Sequence, residues 1–368
     1  MNRPIAHGLS LPRSAATGIA VACLALLIAG VAPVAAASNV NVFAEIGASQ
    51  VFGQHAGAHK AVKLEWRDSD GALKSKQSVV SASDGSWISD AEPGEVVEAG
   101  DTIKMTIGAT SATYTVAAIT ANADRVSDMV SGRAPANSQI VVTVWNFNGG
   151  FVDYTQEQEV VAVNGVGSYS ADFSTGSSAS DIKGFDAVFA TLIDNRGDAS
   201  EYSLSASALR IWEGRAAFDV VGNPGSSAEA TLTRSATQLS DVTVPIGPDA
   251  FRDGNSFVDA DGQRVRSQAG DQVQSNASSD ENFTLPNVVI TANKSTARAT
   301  VNCGLGNGYG VEIVVLDRYG NAFGFGYGFT ANGGVFTVKA LKIKSGYKID
   351  AYCKLATGDV VAKVLTVS

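Results

Sequence analysis

Apolar and polar residues alternate along this chain in short runs. Four of them stand out: Val62 to Trp66, Ile140 to Trp145, Ala230 to Thr233 and Val311 to Leu316. They are rich in Val, Thr and Leu, and turn residues such as Asp70-Gly71, Asn148-Gly149, Asp261-Gly262 and Tyr319-Gly320-Asn321 interrupt the chain between them. A period of two between frequent turns predicts β-strands, and the 3.6-residue period of an amphipathic helix is missing.

The runs belong to a repeat. An Asp/Asn-Gly turn, an aromatic residue and a later glycine recur as Asp84-Gly85 with Trp87 and Gly100, Asn164-Gly165 with Tyr169 and Gly184, Asp253-Gly254 with Phe257 and Gly270, and Asn332-Gly333 with Phe336 and Gly346. A nearly fixed period marks tandem repeats. The expected logic is local: Asp/Asn-Gly supplies the positive φ of a hairpin turn, the aromatic fills the interior, and the later glycine turns the chain into the next core strand. Boundaries near 119, 208 and 291 give units 38–119, 120–208, 209–291 and 292–368. The fold class predicted is all-β, a tandem array of four antiparallel β-sandwiches. In the third unit Arg234 to Arg252 reads as an insertion.

Ahead of these units, Arg3 and Arg13 precede an apolar stretch from Ala15 to Val34 that ends in Ala35-Ala36-Ala37. Residues 1–37 therefore read as a secretory signal peptide, cleaved before Ser38. No second apolar run of about 18 residues follows, so no membrane span is expected in the mature chain.

The chain resembles bacterial extracellular immunoglobulin-like tandem repeats over residues 45–368. The residues that carry the likeness are Val130 to Ala136, Gly167 to Tyr169, Gly100-Asp101 and Gly270-Asp271. The resemblance implies a fold and a surface role, and no chemistry.

Composition narrows the function. The 368 residues are 45% hydrophobic and 17% charged, which excludes a disordered or collagen-like chain. The formal net charge of −9 and the predicted export argue against a nucleic-acid partner. Three His residues leave few groups for acid-base or metal chemistry. His55 and His59 sit in a glycine-containing loop, and Asp68 to Gly71 and Asp259 to Gly262 lack the remaining ligands of a calcium loop, so hairpin turns are expected there. No catalytic residue, metal ligand or cofactor is predicted, and the chain is read as a non-enzyme.

The last unit gathers the features left. Cys303 and Cys353 are the cysteines remaining after cleavage, and an exported pair predicts a disulfide. Phe323-Gly324-Phe325-Gly326-Tyr327-Gly328-Phe329 alternates aromatic and glycine. As a strand it puts Phe323, Phe325, Tyr327 and Phe329 on one face. That stripe either fills the sandwich core or forms a platform for a sugar or a partner strand. Residues 292–368 also hold nine Lys/Arg against four acids, with Lys339, Lys342, Lys344 and Lys348 as candidates for docking on an acidic partner. The function expected is a secreted or cell-surface structural, adhesion or assembly protein; the alternative is a carbohydrate-binding protein using the aromatic strand. Its partners are expected to be a cell-envelope glycan or another protein, self-association included.

Overall fold

The computed structural model describes residues 40–368 apart from 149–150, 162–164, 177–179, 248–250 and 277–281. The predicted signal peptide and its cleavage point lie outside the described residues. The chain is all-β. The first seven strands are β1 (Asn41–Glu45), β2 (Gln50–Gln54), β3 (Ala61–Arg67), β4 (Leu73–Val80), β5 (Trp87–Asp90), β6 (Thr102–Ile107) and β7 (Thr110–Thr115). The next seven are β8 (Thr120–Asp124), β9 (Met129–Arg133), β10 (Gln139–Asn148), β11 (Phe151–Val161), β12 (Ser168–Asp172), β13 (Ala187–Ile193) and β14 (Ala199–Ser205). A third set comprises β15 (Ala208–Trp212), β16 (Ala217–Val221), β17 (Ser227–Arg234), β18 (Thr237–Pro245), β19 (Phe251–Ser256), β20 (Gln272–Ser275) and β21 (Phe283–Thr284). The fourth comprises β22 (Val289–Asn293), β23 (Arg298–Asn302), β24 (Gly310–Leu316), β25 (Ala322–Phe329), β26 (Val335–Lys339), β27 (Lys348–Lys354) and β28 (Val360–Thr366).

Each set has one pairing plan: the first, second and fifth strands pair in that order, as do the fourth, third, sixth and seventh. In a constant-type immunoglobulin sandwich the fourth strand joins the first sheet; here it joins the third strand instead. The four alternating runs all fall on the third strand of a set, where alternate residues are buried: Val62, Leu64 and Trp66 in β3, and Ile140, Val142 and Val144 in β10.

The sheets do not stop at the set boundaries. β1 pairs in parallel with β14, Phe43 opposite Ala199 and Glu45 opposite Glu201. β15 pairs in parallel with β28, Arg210 opposite Val360 and Trp212 opposite Ala362. Two seven-stranded sheets result, β11-β10-β13-β14-β1-β2-β5 and β25-β24-β27-β28-β15-β16-β19. Adding fourteen to every strand number of the first converts it into the second, so a unit of fourteen strands occurs twice. In the second half one continuous core runs under both sets, from Leu209 and Phe218 to Ile349 and Val361. In the first half two cores meet at Ile46.

A carboxylate at the end of each β13–β14 or β27–β28 turn fixes the parallel seam. Asp198 accepts a hydrogen bond from the Val42 amide at 2.9 Å, and Asp359 accepts one from the Leu209 amide at 2.7 Å. The β27–β28 turn also locks the two halves together. Arg125, in the β8–β9 turn, donates to the carbonyls of Ser207 and Thr357 and lies 3.6 Å from the Asp359 carboxylate. Lys354 meets Asp186 at 3.3 Å.

Several expectations are corrected. β22 runs across the boundary drawn between 291 and 292, and β15 begins one residue before the boundary at 208/209. Arg234 to Arg252 is not an insertion: it is largely β18, joined to β17 through Ser235 and Ala236, both at positive φ. That two-residue turn carries no Gly, Asn or Asp, so its signal was absent from the sequence. The Asp84-Gly85 and Asn332-Gly333 turns connect strands of different sheets and do not close hairpins. Asp253-Gly254 lies inside β19, where the register with β16 shifts and the Gly254 amide donates to Asp219 at 3.0 Å. Gly184, read as a turn into the next core strand, does not have positive φ; its neighbour Phe185 does, at φ 65°.

The calcium-like segments are β-turns. Asp68 uses one carboxylate oxygen to accept from the amides of Asp70 and Ala72, and Asp259 does the same for Asp261 and Gln263. His55 and His59 are exposed in the β2–β3 loop. Among the described residues no helix is long and apolar enough to cross a membrane.

Candidate functional site

The aromatic-glycine run forms β25, the edge strand of the second seven-stranded sheet, paired on its inner side with β24. Its glycines face the small β22-β23-β26 sheet at close range. A Cβ on Gly324 would lie 2.7 Å from the Ala340 Cβ, and one on Gly326 would lie 2.8 Å from the Val338 side chain. On Gly328 it would lie 2.9 Å from the Phe336 ring. Glycine is thus the residue that lets the two sheets approach here.

The aromatics consequently face away from that sheet. Phe325 is 54% exposed and Phe329 44% exposed, and the Phe325 and Tyr327 rings meet edge-on at 5.3 Å. Phe323 departs from the stripe. The register shifts between Val315 and Leu316, and beside this irregularity Phe323 packs on the core, its ring 5.7 Å from that of Tyr347. One extra residue in a strand re-aims the side chains around it, so the expected four-membered stripe is reduced to Phe325, Tyr327 and Phe329.

The lysines are spread over more than one face. Lys342 covers Phe323, its ammonium 4.5 Å from the ring centroid. Lys344 and Lys348 are exposed just after it, the first in the loop and the second at the start of β27. Lys339 belongs to β26 in the other sheet, opposite Arg298. The structure therefore joins only Lys342 to the aromatic strand.

Behind the strand lies the Cys303–Cys353 disulfide, with a Cα–Cα distance of 5.8 Å. Cys353 is in the sixth strand of its set, and Cys303 directly follows the second. The bridge ties the two sheets together at the place where antibody domains carry theirs.

Sequence reading missed a further group on the same sheet face. Strand register lines up Tyr327, Glu312, Tyr352, Ala362 and Trp212 as one row across β25, β24, β27, β28 and β15. Beside it Arg210 donates to Asp219 at 2.7 Å, and the Trp212 indole donates to the same oxygen at 3.1 Å. The Arg210 guanidinium also stands 5.6 Å from the Trp212 ring and 6.0 Å from that of Tyr352. Burial pushes the Glu312 carboxyl up to about 7, against the opposing pull of Arg210. The only sequence signal was a charged residue between Leu209 and Ile211. Its partner lies on a different strand, so no spacing rule reveals the pair.

Arg210, Asp219, Tyr352 and Ala362 are buried, so the ring surface this row offers to a ligand is that of the half-buried Tyr327 and Trp212 at its two ends. Among the described residues no group of three or more His, Cys, Asp or Glu stands close enough to hold a metal ion.

No family model and no curated protein matches this chain. Among solved structures it is similar to a tetra-tandem repeat from the extending region of a large adhesion protein, at 15% identity, 89% coverage of this chain, 99% of that chain and a TM-score of 0.18. A bacterial ice-binding adhesin shares 12% identity over 89% of this chain and 96% of its own, with a TM-score of 0.18. The FN1–FN3 domains of chicken CNTN1 share 9% over 68% and 97%, with a TM-score of 0.17. At these scores the likenesses carry no argument about arrangement or function.

Proposed function

We propose that this chain is a non-enzymatic structural or adhesive protein of the cell exterior, whose last set of strands presents the attachment or assembly surface. The observation that carries the reading is the outward turn of Phe325 and Phe329 on a strand whose opposite face is packed. Exposed aromatics of this kind mark interaction sites. Export is supported by the signal-like residues 1–37 and by the disulfide, since such bonds persist in oxidising compartments. The parallel seams and the Arg125 joint suit a scaffold that keeps its sets of strands in fixed relation.

The test is retention on the producing cell. Replacing Lys339, Lys342, Lys344 and Lys348 by Gln is expected to release the protein into the medium, and intact-mass analysis is expected to find a chain starting near Ser38. Unchanged retention, or a mature protein still carrying residues 1–37, overturns the reading. Deleting residues 292–368 is unsuitable, because it removes β28 from beside β15. A second reading, carbohydrate binding, is favoured by the half-buried Tyr327 and Trp212 rings at the two ends of the row. Glycan-array binding lost in Trp212→Ala or Tyr327→Ala is its test.

A further inference from the structure

A seven-stranded sheet has two edges, and an edge left open recruits another strand unless charge, proline, shortness or a bulge blocks it. Two of the four edges here, β5 and β19, are blocked, and the third, β11, is acidic and so closed to another acidic strand. β5 has four residues and ends in Asp90; β19 carries Arg252 and Asp253 and has an irregular register with β16; β11 carries Asp153, Glu157 and Glu159 in its sequence. β25 has eight residues, no charge and no proline; its bulge lies at Phe323, whose carbonyl accepts from the Leu341 amide at 2.8 Å, so the open stretch is Gly324 to Phe329.

We propose that β25 is a strand-addition site and that its occupant is the β11 edge of a second copy of this chain. The inference rests on the assembly reading above and names the partner. Charge selects the occupant. Residues 292–368, which include β25, hold nine Lys/Arg and four acids, whereas residues 120–208, which include β11, hold four Lys/Arg and eleven acids. Pairing β25 with another β25 would bring two basic ends together, each with Lys342 over Phe323 at the start of the strand. Pairing β11 with β11 would set acidic strands against each other, and like charges across a strand pair are destabilising. Only the mixed pairing is complementary. At eleven residues, β11 is long enough to span Gly324 to Phe329 of β25. Both are fourth strands of their sets, so each brings an equivalent edge to the contact. The mixed contact is heterologous, leaving a free β11 on one copy and a free β25 on the other, and it propagates into a chain of copies.

The experiment is sedimentation velocity of the purified mature protein across concentration, at low and high salt. Species larger than dimers are expected to grow with concentration and to recede as salt screens the charges. Phe325→Asp with Tyr327→Asp puts acids against the acidic strand β11, and Glu157→Lys with Glu159→Lys reverses two of the three acids of β11. Each double variant is expected to weaken association by about tenfold or more. All four substitutions in one chain are expected to restore it. Thermal unfolding of each variant checks that the fold survives. A protein monomeric at every concentration, association that either pair of substitutions leaves unchanged, or absence of rescue overturns the proposal. So does glycan binding at β25 without self-association. Cell-surface retention of the lysine variants is read separately, so that reading and this one fail independently.

Discussion

Gly358 is packed against Gly184, 174 residues earlier in the chain: a Cβ on Gly358 would lie 2.7 Å from the Gly184 Cα. This contact, with Arg125 and Asp359 beside it, is where the two fourteen-strand halves meet. Gly197 occupies the same turn position in the first half, at φ 85° against 89° for Gly358, and a Cβ there would meet only the Asn41 amide nitrogen at 3.6 Å.

The two glycines give a matched experiment. Gly197→Ala and Gly358→Ala are both expected to cost about 1 kcal/mol or more, from the left-handed backbone alone. Only Gly358→Ala is expected to alter how the halves sit together. Small-angle scattering of the two variants should show a changed profile for Gly358→Ala and an unchanged one for Gly197→Ala.

Replacing both Cys303 and Cys353 by Ala opens a cross-link spanning 50 residues. The chain-entropy model puts the loss at roughly 3 to 4 kcal/mol. Because one core runs under the third and fourth sets, calorimetry is expected to show the whole second half melting earlier as one transition. The first half should be unaffected.

Phe325→Ala removes an exposed ring and is expected to change stability by less than about 0.5 kcal/mol. Phe218→Ala, which empties a fully buried site, should cost about 3 to 5 kcal/mol. Denaturant unfolding compares them directly, and a large loss for Phe325→Ala would return the aromatic stripe to the core.

Glu45 and Glu201 face each other across the parallel seam of the first half. Burial, reinforced by the Glu45 charge, pushes Glu201 up to about 8, and burial raises Glu45 as well. The folded chain therefore holds more protons than the unfolded one between about pH 4.5, the ordinary value, and pH 8. Stability contributed by the protonated group is complete below that window and is lost as pH rises through it. Thermal unfolding from pH 5 to 9 should show the first half weakening, and Glu201→Gln should flatten the slope.

Much of the fold was legible because its signals are local. Alternation located β3, β10, β17 and β24, since each of these strands buries one face throughout, β10 burying Thr143, Trp145 and Asn146 as well. The stretches Leu73 to Val79, Val152 to Gln158 and Phe323 to Phe329 take equivalent places, as β4, β11 and β25. The cysteine pair was legible from its even number and from the export predicted by residues 1–37. The β17–β18 hairpin was not, because Ser235 and Ala236 reach positive φ without a residue type that announces it.

By itself the sequence determined the period, the class of structure and the glycine-aromatic alternation of β25, all consequences of side chains acting within a few residues of each other. Tertiary structure alone decided which face of β25 is covered, because that depends on how closely β26 approaches. It alone paired β1 with β14 and β15 with β28 and set Arg210 against Asp219. Parallel partners are separated by a whole pair of sandwiches, and their register is fixed by backbone hydrogen bonds that every residue can make. Such pairings leave no residue pattern along the chain, and they are what converts four sets of strands into two joined halves.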